Sequence, residues 1–155
     1  MFANVVTAEQ CNDPKIRRTM HLFQQWVTKS YEVRLTVIDS QFFAARIDAG
    51  SSAAYVDWRA DYNNLTYTTI ETPDFVRSRA ADLLARLNLR FGALDFVVAP
   101  DGAWWFLECN PNGQWVWIED ETGMPIAAAI ADALEGKTKS GRTTFRVRAA
   151  RPIQC

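Results

Sequence analysis

Asp95, Glu108 and Asn110 are the residues whose types and spacing invite chemistry. They lie in the run Gly92-Ala-Leu-Asp95-Phe-Val-Val-Ala-Pro-Asp-Gly102-Ala-Trp-Trp-Phe-Leu-Glu108-Cys-Asn110, which reads as two apolar strands around a Pro-Asp-Gly turn. Pro presets φ in such a turn and Gly supplies a positive φ. Glu108 and Asn110 are two apart, so they share one strand face. The hairpin then brings Asp95 beside them. Two carboxylates among Phe96, Trp104, Trp105, Phe106 and Leu107 repel each other and resist losing water. A hard divalent cation resolves that conflict. Mg²⁺ takes carboxylate and carbonyl oxygens, keeps positions for water and bridges to substrate phosphates. The competing reading is ordinary acids on the solvent face of an amphipathic strand. The polar loop that follows, Asn110-Pro-Asn-Gly-Gln114, weighs against it.

Other elements must position these groups. Residues 1–6 read as a short strand and Thr7-Ala-Glu-Gln10 has capping-box spacing. Residues 13–18 read as loop or a turn of helix. The apolar run at 22–27 suits a strand. Val33, Leu35 and Val37 alternate with Arg34 and Thr36, and Gln41-Phe-Phe-Ala-Ala-Arg-Ile-Asp48 returns as the hairpin partner after Asp39-Ser40. Glu32 and Arg34 share a face there, either as an exposed ion pair or as polar groups directed into a ligand cleft. Residues 49–54 are small and read as a mobile loop. Beyond it, Trp58 sits between Asp57 and Arg59, a packing cluster or a phosphate-holding Arg. Residues 65–70 alternate as another strand. Thr72 as N-cap and Pro73 at N1 open a helix whose stripe is Val76, Ala80, Leu83, Leu84 and Leu87. After the polar loop, Trp115 and Trp117 continue the chain into an acidic turn at 119–121. A last helix carries Ile126, Ile130 and Leu134 and stops at Gly136.

Composition narrows the function classes. A chain of 155 residues with 48% hydrophobic content suffices for one domain with a core. The net charge of −1 gives no reason to expect nucleic acid or an anionic membrane as partner. Cys11, Cys109 and Cys155 are odd in number and widely spaced, so neither a zinc site nor a disulfide framework is indicated. Cys109 alternates away from Glu108 and reads as a small core residue. The single His21 argues against Ser-His-Asp chemistry and multi-histidine metal sites. No membrane span or signal-peptide pattern is evident, and a cytoplasmic location is the default expectation. Residues 137–155 carry basic and no acidic side chains, which suggests a disordered tail.

Gly92-Ala-Leu-Asp95-Phe followed by Phe106-Leu-Glu108-Cys-Asn110-Pro-Asn-Gly-Gln-Trp115 resembles the C-terminal part of ATP-grasp ligases. More narrowly, it is similar to the ribosomal peptide maturases of graspetide or microviridin type. The resemblance runs through Phe23-Gln-Gln-Trp-Val27, Lys29-Ser-Tyr-Glu-Val-Arg34, Asp57-Trp-Arg59 and Thr122-Gly-Met-Pro-Ile126, and covers residues 2–136. It implies an α+β fold, a largely antiparallel sheet with flanking helices, as the C-terminal subdomain of an ATP-grasp enzyme. It implies ATP and Mg²⁺ as cofactors, with Asp95, Glu108 and Asn110 as metal ligands. Gln25, Trp26 and Val27 match the hinge facing adenine, and Glu32 matches an acid contacting the ribose. Arg34 and Arg59 match the phosphate-side basic residues expected to act in catalysis. Ala60 and Asp61 fall in the same nucleotide-side segment.

The activity so implied is ATP-dependent activation of Asp or Glu side chains of a precursor peptide as acyl phosphates, closing ω-ester or ω-amide rings. Positioning, cations and Mg²⁺ carry phosphoryl transfer, so no protein nucleophile is needed. Family enzymes carry an N-terminal half with phosphate-binding lysines and a Gly-rich loop, so the expectation is a fragment or half of a split enzyme, with room for a homodimer. Two competing readings are a non-catalytic module binding nucleotide or leader peptide, and an ATP-grasp ligase adding amino acids to a protein tail.

Overall fold

Alternating β-branched and apolar residues make Tyr31–Ile38 (β1) the most deeply buried strand, with Val33, Leu35, Val37 and Ile38 no more than 2% exposed. The computed structural model describes residues 3–137. In it β1 pairs with Gln41–Ala49 (β2) on one side and with Phe91–Val98 (β4) on the other. Leu65–Ile70 (β3) extends β2, and Trp104–Asn110 (β5) extends β4. The result is one antiparallel sheet in the order β3-β2-β1-β4-β5, an α+β fold.

Helices cover both faces. Asp74–Arg86 (α3) lays Val76, Ala80 and Leu84 on Val33, Leu35, Val37, Leu94, Phe96 and Val98. On the other face, Val116–Thr122 (α4) and Ile126–Leu134 (α5) pack Ile118, Ile126, Ala129 and Ala133 against Ile38 and Ala45. Two short helices, Ala8–Cys11 (α1) and Ser52–Val56 (α2), lie before β1 and after β2.

Much of the sequence reading holds. The Asp39-Ser40 hairpin, the Gly102 turn at φ 84° and the Thr7/Gln10 capping box are all present. Residues 14–18 form a 3₁₀ turn. Corrections follow from where partners are available. Residues 3–6 and 22–27 form no strand and pair with none of the five. Leu22, Phe23 and Trp26 are accordingly exposed. Residues 52–56 of the small-residue loop wind into α2, because Ser51 caps it by accepting from the Ala54 N–H. The helix after Thr72 starts one residue later than expected, with Pro73 at the N-cap. Its stripe ends at Leu84, and Leu87 is 53% exposed at the C-cap. Trp115 and Trp117 do not lead into an acidic turn at 119–121. These residues begin and fill α4, which stops at Gly123 with φ 70°. Leu134 is exposed, and Ala129 and Ala133 take the buried stripe of α5. The basic tail lies outside the described residues, apart from Lys137, whose ammonium pairs with Glu135.

Candidate active site

Strand register builds the site. Arg34 of β1 lies opposite Asp95 of β4, and Asp95 lies opposite Glu108 of β5. One cation and two carboxylates thus form a row across three neighbouring strands. Asn110 sits two residues further along β5, opposite Ala93. The three sequence-derived oxygen donors therefore meet on one face, as expected.

Phe96, Trp104 and Phe106 do not share that face. Phe96 pairs with Phe106 while Asp95 pairs with Glu108, so Leu107 is an extra residue in β5 and the ladder bulges there. Strict alternation would put Trp104, Phe106, Glu108 and Asn110 together. The bulge instead sends Trp104 and Phe106 to the α3 side and Glu108 and Asn110 to the Arg34 side. Cys109 returns to the α3 side and packs with the core, where burial raises its thiol pKa.

Asp95 already has a counter-charge in the protein. Arg34 Nε donates to Asp95 Oδ1 at 2.6 Å and Nη2 donates to Oδ2 at 3.2 Å. Arg34 Nη1 also donates to the Gln114 carbonyl at 3.3 Å, tying the 110–114 loop to the sheet. The guanidinium lies 5.6 Å from the Trp58 ring and 5.8 Å from the Trp117 ring. Arg34 is 8% exposed, so the expectation of an exposed Glu32–Arg34 pair is overturned. Each residue found a different partner because the strand pleat directs them inward, toward Asp95 and Lys29. Burial pushes the Asp95 carboxyl above its ordinary range; Arg34 pulls it down, and Glu108 pushes it further up.

Glu32 is held by Lys29, Nζ to Oε1 2.5 Å, and both are buried. The Lys29 ammonium also faces the rings of Trp26 at 5.9 Å and Tyr55 at 5.4 Å. Burial raises the Glu32 pKa, against the Lys29 charge and hydrogen bond. Sequence reasoning assigned Lys29 no role. Its only signal was a cation three residues before Glu32, a spacing with no meaning once the first residue lies outside the strand. Trp26 therefore reaches the Glu32 end of the site, whereas Gln25 is exposed and Val27 half-buried.

Arg59 is clasped by Asp57, with Nε–Oδ1 and Nη2–Oδ2 both 2.9 Å. Its charge is felt by both Asp95 and Glu108. Burial opposes ionisation of Asp57, but bonds from Arg59 and from the Ala3 N–H outweigh it and hold its pKa below the ordinary range. Ala60 is exposed. Asp61 accepts from Ser51 and Asn64, a loop-stabilising role apart from the carboxylate row.

The donor set suits a hard cation. Glu108 is exposed and makes no hydrogen bond or ion pair among the described residues. A carboxylate has about four acceptor positions, of which Arg34 occupies two on Asp95. The Asn110 side-chain oxygen accepts the Asn112 N–H at 2.9 Å and keeps a second lone pair. Among the described residues no cluster of three or more His, Cys, Asp and Glu side chains is placed to hold a metal. The set here is two carboxylates and an amide, suited to Mg²⁺ with water completing its shell.

The fold recurs in solved structures. A Chryseobacterium gregarium RiPP-associated ATP-grasp ligase, in complex with ADP and a leader and core peptide, is 30% identical with a TM-score of 0.81 over 88% of this chain. The fold is that of part of a RiPP-associated ATP-grasp ligase. The macrocyclase MdnC of Microcystis aeruginosa, bound with precursor peptide MdnA, is 31% identical with a TM-score of 0.60 over 72% of the chain. The ATP-grasp ligase PsnB, complexed with minimal precursor, Mg and ADP, is 26% identical with a TM-score of 0.66 over 86%. The chain spans 43%, 34% and 42% of those three proteins. No family model and no curated protein sequence matches it. None of its described helices is long and apolar enough to cross a membrane.

Proposed function

We propose that this chain is the metal-bearing, C-terminal half of an ATP- and Mg²⁺-dependent ligase acting on carboxylate side chains of a ribosomally made precursor peptide. The chemistry is activation of Asp or Glu as an acyl phosphate, followed by ω-ester or ω-amide closure. The observation that carries this reading is the Arg34–Asp95–Glu108 row on one sheet face. The likeness to ligases solved with ADP, Mg and precursor peptides supports it.

In this reading Asp95, Glu108 and Asn110 would hold Mg²⁺, which would supply positive charge against the phosphates. Arg34 orients Asp95 and opposes the upward pull of burial on its pKa. It also pins the 110–114 loop beside the metal donors. Trp26, Lys29 and Glu32 form the nucleoside end, with the Glu32 carboxylate set to accept from a sugar hydroxyl. Arg59 supplies positive potential next to the two acids. The Asp57 clasp fixes its fork at reduced side-chain entropy.

The test is calorimetric titration of the chain with ATP, with and without Mg²⁺, alongside Glu108→Gln. Glu108 is exposed and unpaired, so this variant keeps the fold. The expected result is Mg²⁺-dependent binding that Glu108→Gln loses. Equal binding by both proteins overturns the metal assignment, and absence of binding by the unmodified chain overturns the nucleotide reading.

A further inference from the structure

The bulge at Leu107 turns Trp104 and Phe106 to the side of the sheet opposite the acids, and Phe106 is bare there. β5 is an edge strand, with no strand on its outer side among the described residues. Natural edges are blunted by charge, Pro or cover. From Trp104 to Leu107 this one has none, and Trp105, Phe106 and Leu107 are 51%, 50% and 37% exposed. Beside it, between α3 and the β4–β5 hairpin, lies a groove of about 430 Å³. Phe75, Leu83, Phe96, Trp104 and Phe106 line it, and Arg79 is its one charged lining residue.

Arg79 differs from three other arginines outside the core. Arg46, Arg59 and Arg90 each grip a carboxylate, on Asp48, Asp57 and Asp39. The Arg79 guanidinium makes no ion pair or hydrogen bond among the described residues. A planar fork of donors at the rim of an apolar groove is complementary to a carboxylate.

We propose that the β5 edge and this groove dock an extended segment of a partner polypeptide, apolar at alternate positions and carrying one carboxylate for Arg79. Pairing along β5 satisfies the segment's backbone, and every second side chain enters the groove. The charge selects the occupant. Residues 138–155 of this chain carry five Lys and Arg side chains (Lys139, Arg142, Arg146, Arg148 and Arg151) and no Asp or Glu, so they do not complement Arg79. Because the surface lies on the α3 face, away from Arg34 and Asp95, the proposal is independent of the ligase reading.

The probe is a short synthetic peptide alternating Val and Phe with Thr and carrying one central Glu, followed by tryptophan fluorescence and calorimetry in the absence of nucleotide. Companion peptides replace the Glu with Lys or N-methylate the backbone on the pairing side. The Glu peptide is expected to bind, the Lys peptide to bind at least about tenfold more weakly, and the N-methylated peptide not at all. Arg79→Glu is expected to reverse the preference between the Glu and Lys peptides, with an unchanged circular dichroism spectrum. Three results overturn the proposal: no binding of the Glu peptide, equal binding of all three peptides, or a preference that Arg79→Glu leaves in place. Light scattering gives a fourth. A stable dimer that Trp105→Lys dissociates assigns the edge to a second copy of the chain instead.

Discussion

Arg34 and Asp95 face each other across β1 and β4, and two of the guanidinium's nitrogens donate to the two carboxylate oxygens, at 2.6 and 3.2 Å. Both side chains are nearly buried, 10% and 13% exposed. A pair in that setting contributes little net stability, since desolvation offsets the attraction. Its value is that neither member is tolerable alone. Arg34→Met is expected to destabilise the fold by about 3–5 kcal/mol at neutral pH, leaving Asp95 buried without a partner. The loss shrinks at lower pH, where Asp95 protonates. Arg34→Met combined with Asp95→Leu recovers most of the stability while losing Mg²⁺-dependent nucleotide binding. Urea midpoints of the three proteins check this. A single Arg34→Met as stable as the unmodified chain contradicts it.

The buried acids predict opposite pH responses. Glu32 and Asp95 have pKa values raised above their ordinary range, so the folded state holds their protons more tightly than the unfolded state does. Their contribution to stability is greatest below that range and declines as pH rises through it to the raised values. Asp57 is depressed, so its contribution is present above the ordinary range and is lost as pH falls through the lower value. In urea titrations across acidic pH, Glu32→Gln should gain on the unmodified protein as pH rises from the ordinary Glu range. Asp57→Asn should instead flatten the acid limb. Parallel curves for all three proteins would contradict these assignments.

The loop after Asn110 is seated by a missing side chain. A Cβ on Gly113 would fall 2.4 Å from the Cβ of Ala93. Gly113→Ala is therefore expected to cost about 1–3 kcal/mol and to loosen the Arg34–Gln114 contact. Ala93→Gly removes the clashing methyl at a cost of roughly 0.5–1 kcal/mol, so the double variant should be more stable than Gly113→Ala alone. Thermal unfolding of the single and double variants decides it.

Thr36 is fully buried between Arg34 and Ile38 along the same strand face, and its hydroxyl has no hydrogen-bond partner among the described residues. An unsatisfied buried hydroxyl costs about 1–3 kcal/mol. Thr36→Val keeps the shape and removes the polar atom. It should raise the unfolding midpoint, and a lower midpoint would show that the hydroxyl is satisfied in solution.

Local rules carried the reading wherever an element is decided by its own residues. The Gly102 turn, the Thr7/Gln10 capping box and the alternation of β1 are all of this kind. They failed where an element depends on a neighbour. Residues 22–27 have strand-like apolarity but pair with none of the five strands. The acids at 119–121 read as a turn yet fill α4, where Trp117 packs against Trp58 and Tyr67 at ring separations of 5.1 and 5.3 Å. Lys29 went unassigned because its role exists only through the tertiary contact with Glu32, Trp26 and Tyr55.

The sequence by itself determined the chemical inventory: Asp95, Glu108 and Asn110 as converging oxygens, Arg34 and Arg59 as cations, and the hairpin that joins the first three. Side-chain type and strand period suffice for that much. Only the tertiary structure decided which charge meets which, and which face each residue occupies. Register places Arg34 against Asp95 rather than Glu32, and one extra residue at Leu107 parts the acids from Trp104 and Phe106. Both outcomes depend on pairing between strands distant in the chain, and a one-residue shift in that pairing would exchange the two faces.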